Sequence, residues 1–270
     1  MTVCVGALCE GGKTVVVCAD RMMTYGAPMN LQAEGAVRKI FQLSAQCVML
    51  FSGSLPDGEE IYSRTKANVI ATPHPDVKTI AVTAGTAYQA HKKKRAEDTI
   101  LKPLLGVDFA GFATLAAQSA SSQLMQQILG MLNQHNLQLD IMIAGTDADG
   151  AHLHLVSHPG NVLSIDTVGT ASIGSGGMHA AIRMQLARHT NSGSLAQALH
   201  NVYEAKIASE VAPGVGKATD LAVINATGIK FVDDGVVKTL QEIHKDRPAL
   251  EKAELDKLSA KCKDYQSAAT

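Results

Sequence analysis

Tryptophan is absent from this 270-residue sequence, and aromatic residues make up only 4% of it. The core must therefore be filled by Val, Ile, Leu, Ala and Met. Net charge is almost absent too, since 24 Lys and Arg against 25 Asp and Glu leave a formal −1. That balance lacks the electrostatic footprint of a nucleic-acid binder or of a protein held on an anionic membrane. No apolar run reaches the roughly 18 residues of a transmembrane helix. The first residues lack the basic stretch and long apolar segment of a secretory signal. A cytoplasmic location is the expectation. CxxC is missing as well. The cysteines are Cys4, Cys9, Cys18, Cys47 and Cys262; their number is odd, and four lie in apolar strand-like stretches. They read as small buried hydrophobes in a reducing compartment rather than as disulfides or metal ligands.

What is present is ample apolar material, 46% of the chain, enough for one large domain or two small ones. Termini usually fray unless something ties them down, yet apolar strand pattern begins at Val3. "TVCVGALC" and "TVVVCAD", joined by the glycine turn "EGGK", predict a hairpin. "KIFQLS" and "QCVMLFSG" predict a second, joined across Ser44 and Ala45. Helical patterns follow. The first, "DGEEIYSRTKANVIA", opens at a cap assigned to Asp57, with Glu60 three residues later. Strand patterns return from "LDIMIAGTD", then two helices, then "DLAVINA" and "GIKFVDD". Strands and helices come in blocks, which indicates an α+β fold rather than alternating βαβ units. A four-layer αββα sandwich, two antiparallel sheets covered by helices, accounts for the order. One domain spans residues 2–232, with a helical insertion around 96–136, and residues 233–270 form a charged helical extension.

Each polar residue among the strands has an ordinary reading. Asp20 ends the second strand as a turn residue, Lys39 precedes an apolar strand as a solvated edge, and Ser175 caps a helix. His152 and His154 share one strand face, with His158 near; without clustered Cys or carboxylates they read as a solvated strand rather than a metal site. "HKKKR" at 91–95 reads as a solvated or subunit-contact helix face, and Met22, Met23 and Met29 as packing residues rather than cofactor ligands. No metal or cofactor is expected.

Taken as a set, these positions resemble the proteasome-type N-terminal nucleophile hydrolases, in the β-subunit style. The resemblance rests on Thr2, Asp20 and Arg21 in "CADRM", Gly26, Lys39 in "VRKIFQL", "FSGS" at 51–54 and "IGSGG" at 173–177. Lys39 to Gly53 matches the family spacing without a gap; between Gly6 and Asp20 the chain is two residues longer, an excess the "EGGK" turn absorbs. Most of residues 2–70 and 139–232 is covered, residues 72–138 only weakly, and the tail not at all. The expected lack of a propeptide resembles the bacterial proteasome relatives, including the heat-shock protease and the Anbu type, and "MTVCVG" and "GVGKATDL" lean toward the Anbu type.

The resemblance implies a threonine-type endopeptidase subunit of a self-compartmentalising complex, and it explains the early strand: the terminus is the active site. Thr2, exposed by removal of Met1 with no propeptide to cleave, is the implied nucleophile and its own α-amine the base. A hydroxyl needs such a base, and an α-amine near pKa ~8 is suited to neutral pH. Lys39 is implied beside the Thr2 hydroxyl, Asp20 as the partner of Lys39, Ser175 as a hydrogen-bond partner of the amine, and the Gly53 N–H as oxyanion donor. A second acid falls to Glu210 or Asp220. Substrate-pocket positions map to Met23, Thr24, Val37, Phe41, Phe51 and Leu55. Implied partners are an unfolded polypeptide or peptide substrate, further copies of the chain and an ATPase unfoldase, with no nucleic acid and no membrane. Two other readings compete: an N-terminal nucleophile amidohydrolase acting on a small amide, and a catalytically inactive structural subunit.

Overall fold

The structure, a computed structural model, describes residues 2–25, 31–35, 38–119 and 122–246, with 252, 253 and 255. The chain divides into two compact units, Met1–Phe231 and Val232–Thr270. In the first, β1 (Cys4–Cys9) and β2 (Thr14–Asp20) form the expected hairpin. Its turn runs through Gly11 and Gly12, whose φ values of 68° and 78° suit glycine. Then come β3 (Met22–Tyr25), β4 (Leu31–Glu34), β5 (Ile40–Gln42) and β6 (Cys47–Ser52). The β3–β4 hairpin has no counterpart in the sequence reading, because these short stretches of mixed polarity carry no alternation to detect. Helices α1 (Leu55–Ala71) and α2 (Val77–Ala96) follow; a π-helical turn, Glu97–Leu101, carries α2 into α3 (Lys102–Leu105). After α4 (Phe109–Ser119) and α5 (Gln123–Gln134) the chain returns to β7 (Asp140–Asp147), β8 (Gly150–Ser157), β9 (Asn161–Ser164) and β10 (Thr170–Ile173). It ends its first unit with α6 (Gly177–Leu186), α7 (Leu195–Ala208), β11 (Thr219–Asn225) and β12 (Gly228–Phe231). The second unit has a helix over 234–246.

Two antiparallel five-stranded sheets, ordered β10-β1-β2-β11-β12 and β5-β6-β7-β8-β9, lie face to face. Strand alternation sorts the side chains of the second sheet. Val48, Leu50, Met142 and Leu153 turn toward Leu8, Val15 and Val17 of the first. Their neighbours Met49, Ile141, Ile143 and Val156 turn outward onto Ile61, Ile80, Ala84 and Tyr88 of α1 and α2. Helices α6 and α7 cover the other face of the first sheet. The layers therefore run α-β-β-α, and every residue of β1 and β2 is buried. The segment after α2 has a small core of its own, Leu101, Phe112, Met125 and Ile128. Among the described residues no single helix is long and apolar enough to cross a membrane.

Three local readings change. The α1 cap is Ser54, whose side chain accepts from the Asp57 N–H; Pro56 in the first turn sets the helix start three residues before the expected one. His91 of the basic run is buried, its Nε2 2.7 Å from Asp57 Oδ1, while Lys93, Lys94 and Arg95 are exposed. His152 and His154 are not on a solvated strand, because α2 covers that face of β8. His154 is buried, and neither of its ring nitrogens has a partner among the described residues. His152 bridges Asp166 (Nδ1, 2.8 Å) and Asp147 (Nε2, 3.0 Å). Among the described residues no group of three or more His, Cys, Asp or Glu could hold a metal ion. Cys4, Cys9, Cys18 and Cys47 are buried free thiols, whereas Gly26, Met29, Val37 and Cys262 lie outside the described residues.

The His152 bridge sets a pH dependence. Burial alone lowers the imidazole pKa, but the Asp166 hydrogen bond and the charges of Asp147 and Asp166 outweigh it and raise the value above the ordinary one. A raised folded value means that the bridge stabilises the fold fully below about pH 6.5 and loses its contribution as pH rises through the folded value. His152→Gln is expected to flatten the melting temperature between about pH 6 and pH 8, followed by differential scanning fluorimetry. Equal slopes in variant and wild type would mean that the bridge carries no charge.

Candidate active site

Thr2 precedes β1, Asp20 ends β2 and Lys39 precedes β5, so the hairpin and the sheet edge carry three distant residues to one point. The Thr2 hydroxyl donates to Asp20 Oδ1 and accepts from Lys39 Nζ at 2.5 Å. Lys39 Nζ also reaches Asp20 Oδ1 at 3.0 Å and the Met22 carbonyl at 2.5 Å. Three acceptors thus surround an ammonium that has three hydrogens. Thr2 is 4% exposed and Asp20 is 0% exposed, so this chemistry is almost wholly withdrawn from water.

Asp20 is the hub. Oδ1 also accepts from the Val3 N–H at 3.0 Å; Oδ2 accepts from the N–H of Met22 at 3.0 Å and of Gly216 at 2.9 Å. Burial alone would push this carboxyl up. The Lys39 charge, the Thr2 hydroxyl and the Gly216 and Val3 N–H groups outweigh it and hold the carboxyl below the usual carboxylate value. Asp20 is therefore an ionised orienting group and too weak a base to keep a proton at neutral pH. Cys4 lies nearby, but burial, against the opposing pull of Lys39, pushes its thiol up to about 12. A thiol that stays protonated offers no competing nucleophile.

The backbone of Thr2 is clamped as well. Its carbonyl accepts from the Gly176 N–H and from Ser175 Oγ, both at 3.3 Å. Ser175 also donates to the Pro213 carbonyl at 3.4 Å. The resemblance directs the Ser175 hydroxyl to the Thr2 nitrogen; in the structure its bonds run to these two carbonyls. Gly174 has φ 94°, and a Cβ there would stand 2.2 Å from the Thr2 carbonyl oxygen. Only glycine allows the loop to lie so close. Gly53 is constrained in the same way, with φ 123° and the Gln138 carbonyl 2.3 Å from where a Cβ would be.

Neither candidate for the second acid bonds to this cluster. Glu210 is held by Lys206, and Asp220 by Arg21 and Arg38. What arrives from this part of the chain is the N–H of Gly216, which sequence reading missed because a backbone donor carries no side-chain signature. The expected pocket positions group partly. Phe51 is buried and stacks on Phe41, ring centroids 4.9 Å apart, while Leu55 packs on the same cluster. Met23 is half-buried in β3. Thr24 is placed in β3 by its backbone only, and Val37 lies outside the described residues.

Residues 2–96 match the family model described as proteasome subunit. Over that stretch the chain is similar to proteasome subunits, and its αββα layering is consistent with the proteasome-type N-terminal nucleophile hydrolase fold. The matched stretch runs from Thr2 to the end of α2 and holds Asp20, Lys39 and Gly53; Ser175 and Gly216 lie beyond it. A comparison with curated proteins finds no match.

Proposed function

We propose that the chain is a threonine-type endopeptidase subunit of an oligomeric, proteasome-like complex, acting on unfolded polypeptide after Met1 is removed. The observation that carries this reading is the Thr2 hydroxyl, held between the Lys39 ammonium and the Asp20 carboxylate in a nearly closed site. In the proposed reaction Thr2 Oγ1 attacks the scissile carbonyl carbon, and the hydroxyl proton passes to the α-amine freed by loss of Met1. Lys39 stabilises the developing alkoxide, and the Gly53 N–H receives the oxyanion. The amine then protonates the leaving amine. Water, deprotonated by the same amine, hydrolyses the ester left on Thr2. Intact-mass analysis tests this reading: the chain should lack one Met and gain one equivalent of a peptide epoxyketone joined through the amine and hydroxyl of Thr2. Retention of Met1 with no adduct would overturn it. A noncatalytic subunit is the second reading, favoured by the engagement of both Glu210 and Asp220 elsewhere.

Specificity follows from the pocket positions. Met23, Phe41, Phe51 and Leu55 are apolar, with no acid to hold a basic side chain and no base to hold an acidic one. An unpaired charge buried there costs several kcal/mol. Arg or Glu before the scissile bond is expected to lower kcat/KM by about 100-fold or more. The bulk of Phe51 and Leu55 favours Ala, Val or Leu over Trp. The preference among these should be shallow, since a methylene contributes only about 0.8 kcal/mol. A peptide library varied at this position checks the pattern, and Leu55→Ala should widen acceptance toward Phe and Tyr. A dominant preference for Arg or Glu would remove these residues from the pocket.

A further inference from the structure

Lys206, on the last turn of α7, has a fully enclosed side chain, 0% exposed. A buried ammonium is stable only when closely paired, and an apolar residue of similar volume in such a place is often as good or better for stability. Packing against the sheet therefore gives no reason for a lysine here. Its contacts do. Nζ donates to Glu210 Oε1 and to the Lys217 carbonyl, both at 2.6 Å. These two groups bracket a segment that, after a single 3-10 turn at Ser209–Val211, has no regular structure through Ala218. That segment meets the active-site cluster twice, through the Gly216 N–H on Asp20 Oδ2 and through the Pro213 carbonyl on Ser175. Space around Gly216 is tight: a Cβ there would stand 2.6 Å from Glu34 Oε1 and 2.9 Å from Met22 Cβ. A loop without its own ladder, threaded through so narrow a gap, depends on whatever ties its ends.

We infer that Lys206 is a positioning residue, a buried latch that closes residues 210–217 and thereby delivers the Gly216 N–H to the Asp20 carboxylate that orients Thr2 and Lys39. The catalytic part of this inference rests on the reading of Thr2 as nucleophile; the latch itself does not. Lys206 touches neither Thr2 nor substrate, so its loss should disturb turnover rather than binding. Displacements of about 1 Å at a reacting centre can lower rates 100-fold.

The test compares full-length wild type with Lys206→Met, which keeps the length of the side chain and removes its charge. Circular dichroism should show an unchanged fold. Turnover of a fluorogenic peptide should fall about 10-fold or more in kcat with KM within about twofold, and epoxyketone labelling of Thr2 should slow by the same factor. Amide hydrogen exchange reads the latch without reference to catalysis, and Gly216 should exchange faster in the variant. If Lys206→Met does not fold, Glu210→Ala severs one of the two ties at a partly exposed residue and carries the same expectations. Unchanged exchange at Gly216 in a folded variant overturns the latch. Faster exchange with unchanged kcat in an active protein overturns its catalytic consequence. A wild type that neither cleaves nor labels removes the Thr2 reading, and the exchange measurement still decides the latch.

Discussion

Thr2→Ala is expected to lower peptide hydrolysis at least about a thousand-fold, the order seen when a covalent nucleophile is removed. The same change should leave the fold intact. Asp20 loses one of its donors but keeps the Lys39 ammonium at 3.0 Å and the N–H groups of Val3, Met22 and Gly216. No buried charge is left alone, so the large penalty for an orphaned ion does not arise. Thr2→Ser keeps both hydroxyl and amine and should retain part of the rate. The missing atom is the Thr2 methyl, Cγ2, which faces Gly174 so closely that a Cβ there would be 3.2 Å away. A β-branched side chain is stiff about χ1. Serine, free to rotate, should spend less time with its oxygen between Lys39 and Asp20. A fluorogenic peptide assay, with intact mass confirming that position 2 is terminal, separates the three proteins. Full activity in Thr2→Ala would remove the proposed mechanism altogether.

The meeting of Thr2, Asp20 and Lys39 was implied by the family resemblance alone, since strand pattern made Asp20 a turn residue and Lys39 a solvated edge; what the pattern did place was each of them at the end of a strand. Once β1 pairs with β2 and the two sheets stack, strand ends are brought together. The same logic anticipated the αββα layers, since hydrophobic blocks of strand and helix have few ways to bury their faces. Other features were hidden for physical reasons. Asp20 depends on backbone N–H groups at Met22 and Gly216, and any residue except proline can supply one. His152 and His154 looked solvated because periodicity gives the face of a strand and not what covers it; here α2 does. The Ser54 cap was missed for a neighbouring acid that also favours helix starts. Lys206 gave no signal at all, since a lysine on a helix is ordinarily exposed.

Lys39→Ala is expected to reduce turnover by about a hundred-fold or more, and Lys39→Arg is not expected to restore it. The Lys39 ammonium fits a compact site bounded by the Thr2 hydroxyl at 2.5 Å, the Met22 carbonyl at 2.5 Å and Asp20 at 3.0 Å. Those acceptors suit the three hydrogens of a tetrahedral nitrogen. A guanidinium is planar and larger, and its donors are fixed in a fork. It can pair with Asp20 only by moving away from Thr2 or by pushing the terminal residue out of place. Alanine raises a second difficulty, because a fully buried carboxylate loses its counter-ion, a change that typically costs about 3–5 kcal/mol. Circular dichroism and thermal melting therefore accompany the assay, and Arg, which keeps the charge, separates geometry from stability. Asp20→Asn should impair turnover by a different route. An amide places an NH2 donor where an oxygen now accepts, facing either the Lys39 and Thr2 donors or the Met22 and Gly216 N–H groups. The acid side of the pH profile distinguishes the two residues' roles. Asp20 has a folded value below its ordinary one, so its stabilising charge is fully present above about pH 4 and is lost only as pH falls through that depressed value. Activity lost as pH falls from about 8, well above the depressed Asp20 value, should thus follow protonation of the Thr2 amine, whose reference value is ~8. Wild-type rates in Lys39→Ala, or equal rates for Lys39→Arg and wild type, would reduce Lys39 to a structural partner of Asp20 with no part in the chemistry at Thr2.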